Sequence, residues 1–258
     1  MNYEIQFLKV GESDVPGPEV YWMRQWNTWE TLYFYIVVVR GGGKTILVNT
    51  GPPADLSRLN QVWVSGYGES RSAMRRGEGE LPEEALRRAG VDPKAVDLVL
   101  LTPLQAYATG NVPLFRNATV CISKRGWIED FHAPPWPMSM PRDLCIPNDV
   151  LVYLETEAWE HVRLIEDDEE ILPGIRARWV GTHHRSSMAY LVETASGIVA
   201  ISDCFFKYPN FEQNIPLGVQ ESMEECMRSY SLIRRSAKLI APLYDPDVLR
   251  RHPGGTIP

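Results

Sequence analysis

The sequence predicts an α/β fold in which sheets and helices are stacked in layers. Three observations carry this. Residues 32–39 (LYFYIVVV) form a continuous aromatic and β-branched run, two strand–turn–strand patterns close on small residues, and amphipathic helical stretches lie between short apolar runs. The order is not a strict βαβ series, so hairpins belong to the layers.

The elements follow in chain order. Residues 32–39 read as a strand buried on both faces. Gly41, Gly42 and Gly43 turn the chain, and residues 45–48 (TILV) return as the second strand of a hairpin. A helix over residues 82–89 has Pro82, Glu83 and Glu84 in its first turn, Arg87 and Arg88 near its end, and Gly90 as a stop. Residues 97–101 (DLVLL) and 118–123 (ATVCIS) are short apolar strands. Residues 188–193 and 197–202 flank Thr194, Ala195 and Ser196 as another hairpin. A longer helix starts near Ser222, which makes a capping-box pattern with Glu225. Met223, Met227, Tyr230 and Ile233 give that helix one apolar face. Two stretches carry no period: residues 52–79 mix Gly, Ser and Arg with Trp63 and Tyr67, and residues 132–147 hold five prolines. Long irregular stretches are binding loops, lids or partner contacts.

Composition narrows the class. A chain of 258 residues with strand and helix signals throughout is expected to form a single domain spanning residues 1–258. Its 44% hydrophobic and 23% charged content excludes disorder of the chain as a whole. With 33 acidic residues against 26 basic ones, the net charge of -7 argues against nucleic acid as a partner. The longest apolar run falls far short of the roughly 20 residues a membrane span needs. The start, MNYEIQFLKV, lacks a basic-then-apolar signal pattern, so a cytoplasmic protein is expected. Cys121, Cys145, Cys204 and Cys226 lie far apart with no CxxC, which predicts reduced, buried thiols. The histidines are His132, His161, His183, His184 and His252, a small pool for a metal site.

Residues 45–53 (TILVNTGPP), 96–115 (VDLVLLTPLQAYATGNVPLF), 181–192 (GTHHRSSMAYLV), 200–206 (AISDCFF) and 240–246 (IAPLYDP) resemble, in order, the conserved blocks of the metallo-β-lactamase fold. Residues 110–127 (GNVPLFRNATVCISKRGW) are similar to the N-acyl homoserine lactonase-like branch. The resemblance covers nearly the whole chain and implies an αββα sandwich. That family's chemistry uses a His-x-His-x-Asp-His run around two metal ions, which lower the pKa of bound water to about 7. On this sequence Pro103 and Gln105 stand at the first two histidines, Tyr107 at the aspartate and Ala108 at the third histidine. His183 and the bridging Asp203 are kept, and Tyr244 stands at the last histidine. Asn49 stands at the aspartate that ends the early strand, and Phe206 at a tyrosine that assists lactonase catalysis.

Pro and Ala offer no side-chain ligand, Gln offers a neutral oxygen, and neutral Tyr is a weak donor. One His and one Asp fall short of the three or four protein ligands that zinc sites use. The sequence therefore predicts no metal and no cofactor. Two functions compete. The first is a non-metal binding or structural subunit, acting as a homo-oligomer or beside an intact homologue, with a small-molecule ligand. The second is a metal-independent hydrolase or acyl-transfer enzyme of a lactone, amide or thioester. In that enzyme His183 is the base, Asp203 orients it, and Tyr107 or Tyr244 donates to the carbonyl oxygen. Gln105, His184 and Phe206 complete the expected pocket.

Bland alternatives stand beside these roles. His183 and His184 can bond neighbouring loops, Asp203 can cap backbone amides, and Tyr107 and Tyr244 can fill core space. Cys204 is expected to point away from Asp203. Arg71, Arg75 and Arg76 read as a solvated face and residues 166–170 as an exposed turn. Trp22, Trp26 and Trp29 are costly to leave in water. They cover the mouth of the site or make a subunit contact.

Overall fold

The protein is described by a computed structural model covering residues 2–133 and 141–258. Its strands in chain order are β1 (Glu4–Pro16), β2 (Trp29–Gly41), β3 (Lys44–Val48), β4 (Leu98–Leu100), β5 (Thr119–Ser123) and β6 (Val162–Ile165). They continue as β7 (Asp168–Leu172), β8 (Ile175–Trp179), β9 (Met188–Thr194), β10 (Gly197–Ser202), β11 (Leu239–Pro242) and β12 (Thr256–Ile257). One sheet runs β12-β1-β2-β3-β4-β5-β6 and the other β11-β10-β9-β8-β7. The expected layered α/β architecture is present.

The predicted strands sit where their apolar runs placed them. In β2 the residues from Phe34 to Val39 are all buried, and each large side chain removed from water contributes roughly 1.5–3 kcal/mol. The β2–β3 hairpin turns on Gly42 and Gly43 at φ 58° and 72°, a conformation that glycine adopts without a Cβ clash. β3, β4, β5 and β6 then pair in parallel. The sheets are tied together near the site, where Tyr190 Oη donates to the Leu101 carbonyl at 2.9 Å.

Several expectations are corrected. β1 was not predicted. Its buried Ile5 and Phe7 alternate with partly exposed residues, but the register shifts between Lys9 and Gly11 and breaks the period. The stretch 52–79 is not all loop: Ser57–Tyr67 is a helix. Leu59, Val62 and Trp63 form its inward side, at a helical spacing hidden among polar neighbours. Residues 166–170 are not a simple turn, because Asp168, Glu169 and Glu170 open β7 and pair with β8. Charged residues suit this edge strand, where they oppose pairing with another chain. Arg76 is not part of a solvated face. Its guanidinium donates to the carbonyls of Val10, Pro52, Pro53 and Ala54 and clamps β1 to the loop after β3.

The helix starting after Ser222 spans Met223–Ser236, and the Ser222 hydroxyl accepts from the Glu225 amide at 3.3 Å. Its buried side is Cys226, Ser229, Tyr230 and Ile233, with Met227 partly buried against the core. The helix near residue 82 spans Pro82–Arg88. All four cysteines are free and buried. Of the proline-rich stretch 132–147, residues 134–140 lie outside the described residues; Arg142–Leu144 forms one helical turn. Among the described residues no helix is long and apolar enough to cross a membrane.

Candidate functional site

A cavity of about 120 Å³ opens beside the loops that follow β4, β8, β10 and β11. Those loops carry Gln105 and Tyr107, then His183 and His184, then Phe206, then Tyr244, and all six line the cavity. Asp203, the remaining residue singled out in the sequence, lies behind the wall, fully buried. The residues singled out are therefore brought together. Strand ends hold loop backbones in place while their side chains vary, which is why block order located them.

Asp203 is held by three donors. Thr102 Oγ1 donates to Oδ1 at 2.5 Å, Ser187 Oγ donates to Oδ2 at 2.5 Å, and His183 Nδ1 stands 3.2 Å from Oδ2. A carboxylate only accepts, so the proton of this last contact sits on His183 Nδ1. The His183 ring itself lines the cavity. Thr102 is itself fixed by Asn49, whose Nδ2 donates to the Thr102 carbonyl at 2.6 Å while its Oδ1 accepts the Thr102 amide at 2.8 Å. Asn49 does this at φ 64°, a left-handed conformation that Asn tolerates. His183 follows Thr182, held at φ 71°. A β-branched residue rarely sits there, and the cost is of order 1–3 kcal/mol.

The aromatic wall is continuous. Tyr107 and Tyr244 have ring centroids 6.0 Å apart, and the Phe34 ring lies 5.3 Å from Tyr107 and 5.5 Å from Tyr244. Phe206 packs edge-on against Tyr244 at 4.7 Å and against His183 at 4.8 Å. Burial pushes the Tyr107 and Tyr244 hydroxyls well above the usual phenol range, so both stay protonated. Burial, then His183, hold the His184 imidazole well below its usual value, so that ring is neutral. One buried polar atom of the wall, Gln105 Oε1, has no hydrogen-bond partner among the described residues. Unpaired buried acceptors are rare in folded proteins.

Sequence reasoning missed Glu19, Phe34 and Trp63 as wall residues, and saw Tyr67 only as part of a loop. Trp63 and Tyr67 lie one helical turn apart on Ser57–Tyr67, a spacing visible once the helix is recognised. Nothing local marks Glu19. It is placed by the chain crossing over it: the Val219 amide donates to the Glu19 carbonyl at 2.8 Å. Gly218 packs so closely that an added Cβ would meet the Pro18 carbonyl oxygen at 1.7 Å. The Glu19 carboxylate accepts from Tyr67 Oη at 2.7 Å, and burial raises its pKa above the ordinary glutamate value.

Beside the cavity, Asp130, His184 and Glu221 each place one donor atom within 4.8 Å of the others. Asp130 already accepts the amides of Arg185 and Ser186 at 3.0 and 2.7 Å. The Arg185 guanidinium stands 3.6 Å from Glu221 and opposes a cation there.

No family model matches the chain. It is 23% identical over 175 residues to an N-acyl homoserine lactonase of Bacillus cereus, covering 67% of this chain and 64% of that protein. It is 25% identical over 178 residues to the N-acyl homoserine lactonase AiiB of Agrobacterium fabrum (strain C58), covering 65% of this chain and 61% of that one. The match thus spans less than two thirds of either relative. A solved N-acyl homoserine lactone hydrolase, with the product N-hexanoyl-L-homoserine at its catalytic metal center, superposes with a TM-score of 0.78 at 17% identity over 97% of both chains. A putative metallo-β-lactamase of Thermotoga maritima gives 0.58 at 17% identity over 94% of this chain and 96% of its own. The chain has the metallo-β-lactamase fold, and the two curated proteins it matches in sequence are N-acyl homoserine lactonases.

Proposed function

We propose that the chain is a small-molecule-binding member of the metallo-β-lactamase fold that works without two-metal chemistry, as a subunit beside a second copy or an intact homologue. The observation that carries this reading is the state of Asp203. Its two oxygens accept from Thr102, Ser187 and His183. That takes most of a carboxylate's acceptor capacity, leaving little with which to bridge two ions. The remaining family positions offer Pro103, Ala108, the neutral amide of Gln105 and the protonated phenols of Tyr107 and Tyr244, which fit a two-metal centre poorly. An aromatic pocket remains in its place.

Elemental analysis of protein purified from zinc-rich medium tests the metal half of this reading. The expected result is a folded protein with less than one tightly bound ion per chain; two equivalents that survive dialysis overturn it.

The His183–Asp203 pair supports a second reading, a metal-independent hydrolase. Here His183 Nε2 takes a proton from water, and the water oxygen attacks the carbonyl carbon of a lactone, amide or thioester. A Tyr107 or Tyr244 hydroxyl donates to the developing oxyanion, and the leaving group receives the proton from His183. Turnover in chelator, abolished by His183→Ala, would favour this reading over the first.

A further inference from the structure

Resting on the binding reading above, we infer that the pocket accepts a small organic cation, an ammonium carrying alkyl groups, held between Glu19 and the aromatic wall. Three features of the wall converge on this class.

The first is its shape. Phe34 and Trp63 have ring centroids 5.9 Å apart, Trp63 and Tyr107 6.0 Å, and Tyr107 and Tyr244 6.0 Å. These rings pack side by side along one wall of the cavity, and the faces of Trp and Tyr attract cations electrostatically, most strongly where water is excluded. The cavity, about 120 Å³, is comparable to one of about 150 Å³ that holds benzene, so a trimethylammonium-sized head group is accommodated.

The second is the polarity of what is left unpaired. Gln105 Oε1, on a residue 1% exposed, is an acceptor with no partner among the described residues. Glu19 has acceptor capacity beyond its bond from Tyr67. The site thus asks its ligand for positive charge or N–H groups.

The third is charge. Glu19 lines the cavity, and neither Lys nor Arg does so among the described residues. An opened lactone would bury a carboxylate beside Glu19 with neither a Lys nor an Arg in the lining to balance the two acids, and like charges held together in a partly buried site repel. The wall therefore selects against an acid and for an ammonium.

Calorimetric titration of the full chain with three probes decides this: choline, its uncharged isostere 3,3-dimethylbutan-1-ol, and N-hexanoyl homoserine lactone. Choline is expected to bind about tenfold more tightly than the isostere. Glu19→Gln, which keeps shape and volume, should erase most of that ratio while leaving the isostere's affinity unchanged. Trp63→Leu should weaken choline more than the isostere, with circular dichroism confirming that both variants fold. Equal or tighter binding of the isostere or the lactone overturns the cation assignment and leaves the binding reading standing. An unchanged ratio in Glu19→Gln likewise overturns the assignment. Failure of all three probes to bind overturns the assignment together with the binding reading.

Discussion

His183 Nδ1 lies 3.2 Å from Asp203 Oδ2, and that carboxylate is also gripped by the hydroxyls of Thr102 and Ser187. Thr102 in turn accepts the Met188 amide at 2.8 Å, so one buried acid joins the ends of β4, β9 and β10. Asp203 is thereby a structural joint as well as the orienting partner of a cavity histidine. Asp203→Ala would leave three buried donors without an acceptor. Orphaned buried donors cost about 1–3 kcal/mol each, with partial relaxation, so a loss of about 3–5 kcal/mol is expected in urea unfolding. An unchanged unfolding midpoint would show that the three donors do not depend on Asp203.

Gln105 makes the opposite prediction. Among the described residues its Nε2 reaches only the Cys145 sulfur at 3.7 Å and its Oε1 has no partner. A buried acceptor in this state costs stability and is retained at sites that need it. Gln105→Leu, close in volume, should raise stability by about 1 kcal/mol while weakening ligand binding. A destabilised variant would mean that the amide holds the loop after β4 in place.

Glu221 gives a pH signature. Burial, then the neighbouring Asp130 carboxylate, raise its pKa from 4.5 to about 7 despite Arg185. A raised acid pKa means that the folded state binds the proton more tightly than the unfolded state does. Stability should therefore fall as pH rises between 4.5 and about 7, with the penalty fully present above that window. Glu221→Gln should flatten this slope in thermal unfolding followed at several pH values. A slope unchanged by the substitution would assign it to other carboxyls, Asp130 foremost, whose pKa burial also raises.

How much was legible in the sequence follows from the range of each signal. The strand at residues 32–39 and the Met223–Ser236 helix are written in local periodicity and capping, and both formed. Gln105, Tyr107, His183, Asp203 and Tyr244 were found through block order, because strand ends fix where loops begin. β1 was hidden by a register shift, and the Ser57–Tyr67 helix by polar residues around its short apolar side. Glu19 could not be read at all. Its place depends on Tyr67 and on the crossing at Gly218 and Val219, which are far from it in the chain.

The remaining prediction concerns association. Of the three N-terminal tryptophans, Trp29 is absorbed by the fold: its ring lies 6.3 Å from Tyr67 and 5.2 Å under Arg71. Trp22 and Trp26 are 47% and 64% exposed, with Met23 between them at 57%. Met23 and Gln25 take left-handed backbone conformations at φ 56° and 55°, each costing of order 1 kcal/mol. The chain thus holds a strained loop that turns large apolar side chains toward water. Burying them against a partner returns roughly 25 cal/mol per Å², and aromatic anchors dominate many interfaces. We expect a dimer, or a complex with a homologue, formed through this loop. Light scattering at micromolar concentration should report the dimer for the wild type and a shift toward monomer for Trp26→Ala, which leaves the buried core untouched. Monomers in both cases, with no homologue co-purifying from the native host, would assign the tryptophans to the mouth of the cavity and move the balance toward the metal-free hydrolase.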